Sequence, residues 1–110
     1  MTGEVVLTTE VERLIGQVLH WTPPRWGAAS GVSGLSRAEA FHGLVQRIAD
    51  LGAATEGQPR RTVPWLENDL ALPDQLVVVT RDLLRAAPDD TALAAAREAV
   101  AETRSLINYG

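Results

Sequence analysis

Apolar residues recur at three- and four-residue intervals in four stretches of the chain, the spacing that lines one face of an α-helix. In the first, Leu7, Val11, Leu14, Ile15 and Val18 form the stripe. Thr9 and Glu12 have the T-x-x-E spacing of a capping box, in which each satisfies a backbone N–H at a helix start. Val5 to Leu7 is then either a preceding helical turn or a short extended arm. In the second stretch Phe41, Leu44, Val45, Ile48 and Leu51 follow Ser36-Arg37-Ala38-Glu39, another capping box. Gly52 comes directly after the last apolar position, where a left-handed cap ends a helix. The expected helix runs over about 37–51.

The third stretch opens at Pro73, tolerated in a first turn because its missing N–H would be unpaired there. Leu76, Val77, Thr80, Leu83, Leu84 and Ala87 share one face, and Pro88 closes the element. Val77, Val78 and Val79 in succession also suit a strand, but the length of the pattern favours a helix buried on more than one side. The fourth stretch takes Asp89 or Asp90 as its cap and runs to Ile107, with Leu93, Ala96, Val100 and Ile107 along the stripe. Glu98, Glu102 and Ser105 mark its wet side, and Arg97 and Arg104 flank the stripe.

These four helices predict an all-α, antiparallel, four-helix bundle-like domain spanning 1–110, since a chain of this length supports one core. Its connections are long for a bundle, where about 2–8 residues is usual. Thr22 to Leu35 is expected to fold over one end, Gly52 to Val63 is nearly as long, and Pro64-Trp65-Leu66-Glu67 is read as an added helical turn.

Composition narrows the chemistry. All ten basic residues are arginine, a bias expected of a high-GC, bacterial genome. The net charge of −4 argues against non-specific nucleic-acid binding, which depends on Lys and Arg displacing counterions from phosphates. Cysteine is absent, which removes thiolate ligands, disulfides and thiol nucleophiles. No stretch is apolar enough to span a membrane, and residues 1–7 lack the basic and apolar regions of a signal peptide. A cytoplasmic protein is the expectation.

No motif for catalysis or for a cofactor is visible. Glu39 and His42 have the E-x-x-H spacing used twice by di-iron bundles, but the companion ligands are missing and His20 is the sole other histidine. Ser33 in Gly31-Val32-Ser33-Gly34-Leu35 misses the nucleophile elbow at its last position. An enzyme is therefore not expected, nor is a metal or cofactor.

Two clusters are candidates for binding. Gly31, Ser33, Gly34, Ser36 and Arg37 lead into a helix N-terminus, where free amides and the helix dipole favour an anion. Trp21, Arg25, Trp26 and Trp65 lie at helix ends or in connections, with Pro23-Pro24 between the first two tryptophans. They either close the core or form an aromatic patch of the residue types that dominate binding hot spots. Val78 falls opposite the third helix's core face and needs cover from a loop, for which the first connection is the candidate, or from another chain. The expected function is a protein–protein interaction module, an adaptor or accessory subunit able to self-associate. The alternative is a binder of a small anionic or apolar ligand.

Overall fold

A computed structural model describes residues 2–108 and shows an all-α fold, with no strand among the described residues. Helix α1 spans Gly3–Val18, α2 Pro23–Gly27, α3 Arg37–Glu56, α4 Leu72–Arg85 and α5 Asp90–Ile107; a 3-10 turn, Asp69–Ala71, leads into α4. Leu76 to Val79 lie within α4, so helix prevails over strand for the valine run.

Helix starts follow local chemistry. At α3 the Glu39 amide donates to Ser36 Oγ at 3.1 Å and the Ser36 amide donates to Glu39 Oε1 at 3.0 Å, a complete capping box. Asp89 caps α5 by accepting from the Ala92 amide at 2.8 Å. Helix α1 starts earlier than Thr9 implies. Its cap is Thr2, which accepts from the Val5 amide, and Val5 to Leu7 are helical. Thr9 sits inside the helix and its hydroxyl donates back to Val5 O at 2.9 Å, so Thr9 and Glu12 form no box.

Helix ends depend on packing. Helix α3 runs through Gly52 for another turn and stops at Gly57, whose φ of +69° provides the left-handed cap. Gly52 is buried and faces the Leu83 backbone of α4, where a methyl group would make ordinary van der Waals contact. Ala87, directly after the Ala86 cap of α4, also adopts a positive φ, the left-handed position that commonly closes a helix.

One cluster of buried side chains forms the core: Leu7, Val11, Leu14 and Val18 from α1, Phe41, Leu44, Val45 and Ile48 from α3, Leu76 and Leu83 from α4, and Leu93, Val100 and Ile107 from α5. Helix α3 packs on both α4 and α5, and α1 packs chiefly on α5.

The first connection is a folded plug. Trp26 is fully buried, edge-on to Trp21 at 4.9 Å and to Phe41 at 5.3 Å between ring centroids. The loop after α2 closes on itself through Ser30 N–H to Leu35 O and Arg37 N–H to Ala28 O, and docks on α5 through Gly31 N–H to Leu106 O.

A candidate docking groove between α3 and α4

The second connection departs most from expectation. Residues 58–68 carry no helical turn; the turn expected at 64–67 lies instead at Asp69–Ala71. Proline at 59 and 64 and a poor apolar period leave this segment extended, as a strap across the α3–α4 face.

Side chains hang the strap in place. Gln46 of α3 accepts from the Val63 amide at 2.8 Å and donates to Arg61 O at 3.0 Å. Its carboxamide thus substitutes for the neighbouring strand that an extended backbone would otherwise pair with. The His42 ring Nε2 bonds Val63 O at 3.1 Å, and Gln75 of α4 donates Nε2 to Pro64 O at 3.1 Å. The Trp65 ring rests edge-on against His42, 5.1 Å between centroids. The His42 ring is therefore part of the scaffold. Among the described residues no group of His, Asp and Glu could hold a metal ion.

On either side of the strap lies a hollow. The larger, about 500 Å³, is floored by Ala49, Gly52 and Ala53 of α3 and rimmed by Glu56, Arg61 and Asp82. The smaller, about 310 Å³, is walled by Leu66 and Val78, with Asp74 the charged residue in its lining. Val63 and Val79 line both, so the two are ends of a single groove along α4. Beside it, Trp65 is 50% exposed, Leu66 43% and Val78 55%.

The expected site residues separate into three groups. Trp65 and Val78 share this face. The first connection packs on α3, α5 and the 3-10 turn before α4, and leaves Val78 exposed. Trp21 and Trp26 are buried, 6% and 0% exposed, so of the two alternatives they close the core and do not line an exposed patch. Arg25 and Arg37 cover the Trp21 ring, their guanidinium carbons 5.0 and 5.5 Å from its centroid. These are cation–π contacts that close the aromatic cluster.

The anion-binding expectation also meets a different structure. The amides of Gly31, Ser36 and Arg37 are taken by Leu106 O, Glu39 Oε1 and Ala28 O. Ser33 and Gly34 are exposed at the loop tip, Gly34 at a φ of +84°. These three amides thus serve the protein's own acceptors.

Sequence reasoning missed Gln46, Gln75 and Leu66. Pro59 and Pro64 are the local signal that disfavours helix in the strap, and nothing local connects Gln46 to a segment 15 residues away.

Comparison with protein-family models, with curated proteins and with solved structures returns no match. The functional reading accordingly rests on the chain's own residues.

Proposed function

We propose that the chain is a protein–protein interaction module, an adaptor or accessory subunit, whose docking surface is the groove between α3, the strap and α4. The observation that supports this most is the grouping of Trp65, Leu66 and Val78, each close to half exposed, beside an apolar hollow. Burying such side chains against a partner gains roughly 25 cal/mol per Å² of apolar surface. Tryptophan next to a groove is also a residue type enriched among binding anchors.

A second reading is favoured by the larger hollow. At about 500 Å³ it falls within the roughly 300–1,000 Å³ typical of small-molecule sites. Its small-residue floor and charged rim suit a compact ligand with both apolar and polar parts.

The test is site-specific photocrosslinking in the source cell, with the reactive group placed at Val78 or, as control, at Glu98 on the exposed side of α5. The proposal expects a discrete protein adduct from position 78 and none from 98. Native mass spectrometry of the purified protein addresses the second reading through retained small-molecule mass. Equal, diffuse labelling from both positions would remove the docking interpretation.

A further inference from the structure

We infer that the groove's partner is a basic amphipathic segment, one with apolar side chains flanked by arginine or lysine; this rests on the docking reading above. The groove is apolar at its centre, through Val63, Val79, Leu66 and Val78, and acidic at its margins. Its lining carries three carboxylates, Glu56, Asp74 and Asp82, against the single guanidinium of Arg61. Between Thr62 and Thr80 the chain has Glu67, Asp69 and Asp74 and no basic residue.

Helical spacing puts Asp74 and Asp82 one turn to either side of Val78, on the same face of α4. Arg81 shares the flank of Val78 on which Asp74 lies, two turns further along, and lines neither hollow. An apolar side chain seated between Leu66 and Val78 therefore finds carboxylates both before and after it along the helix. None of these three acids is in an ion pair among the described residues; the salt bridge present, Arg47 to Glu102, joins α3 to α5. The carboxylates are thus available to cations on a partner, and an acidic partner would face like charges at both margins. Such complementarity governs partner choice and encounter rate more than total affinity.

The experiment is selection of a displayed random-peptide library on the wild-type protein, with counter-selection on Leu66→Ser/Val78→Ser. That double variant removes the apolar walls without changing charge, and both side chains are exposed enough for the fold to tolerate it. Peptides enriched on wild type alone are expected to be net basic with interspersed apolar residues. Their affinity for Asp74→Asn/Asp82→Asn is expected to fall by about tenfold, and a similar loss should accompany a rise in salt from about 0.1 M to about 1 M. Enrichment of neutral or acidic peptides on wild type alone would overturn the basic-partner inference and leave the docking reading intact. Basic peptides that bind the Asn variant as tightly as wild type would overturn it too. Equal enrichment on wild type and on the Ser variant, or none on either, would overturn the docking reading itself.

Discussion

Gly52 of α3 lies against the backbone of Leu83 in α4: a methyl group on Gly52 would sit 3.7 Å from Leu83 Cα and 3.8 Å from its nitrogen. Those distances are ordinary van der Waals contact. They leave room for one carbon and no more.

Gly52→Ala is accordingly expected to stabilise the protein by about 0.5–1 kcal/mol, because glycine inside a helix is entropically costly and the alanine fits. Gly52→Leu should destabilise it by about 1–3 kcal/mol through overpacking against α4. Urea denaturation of the three proteins compares them directly. A destabilised alanine variant would mean that the helices approach more closely than described.

Ser36→Ala should cost about 1 kcal/mol through loss of the α3 cap. Thr9→Ala, despite the same T/S-x-x-E context, should change stability by no more than about 0.5 kcal/mol, since Thr9 is a mid-helix residue where alanine is favoured. The contrast between the two melts decides which box exists in solution.

Gln46→Leu removes both hydrogen bonds that Gln46 makes to the strap and should cost about 1–2 kcal/mol. The more specific readout is amide hydrogen exchange at Val63, whose N–H donates to Gln46 Oε1. Its exchange should accelerate by about tenfold or more, while amides in the middle of α5 keep their protection to within the global change. Uniform acceleration across the chain would show that the strap is not separately held.

Thr80 is a core position whose hydroxyl has no hydrogen-bond partner. Thr80→Val replaces that hydroxyl with a methyl of similar shape and should raise stability by about 1 kcal/mol, the reverse of the usual outcome for a buried hydroxyl that is satisfied. A lowered melting temperature would show that Thr80 Oγ1 has a partner in solution.

What the sequence made legible was local. Ser36 and Glu39 are three residues apart and their box is visible as written, as is the Asp89 cap. The stripes of all four long helices supplied the core, Leu14, Ile48, Leu83 and Val100 among them. Errors arose where tertiary contact overrides a local signal. Gly52 has the look of a helix terminator, yet its role is set by Leu83, 31 positions along the chain. For Trp21 and Trp26 the sequence left core closure and a surface patch both open; the choice is made by the plug, which sets Trp26 against Phe41 and Trp21 against Trp26. The groove was the least legible feature. Val78 and Trp65 were marked, whereas Leu66, Gln46 and Gln75 gain their roles only when the strap is laid across two helices.

The packing order of the helices carries a consequence for how the chain is made. Helix α1 precedes the other helices along the chain, but its principal neighbour is α5, whose first residue follows the end of α1 by more than half the chain. The plug is in the same position, since Gly31 bonds to Leu106. Leu7, Val11, Leu14 and Val18 thus gain only the smaller part of their packing, against α4, before α5 is made, while α3 and α4 are adjacent along the chain and can form a hairpin early. The apolar stripe of α1 is therefore expected to gain its full cover only when α5 arrives, which makes α5 the element that completes the fold.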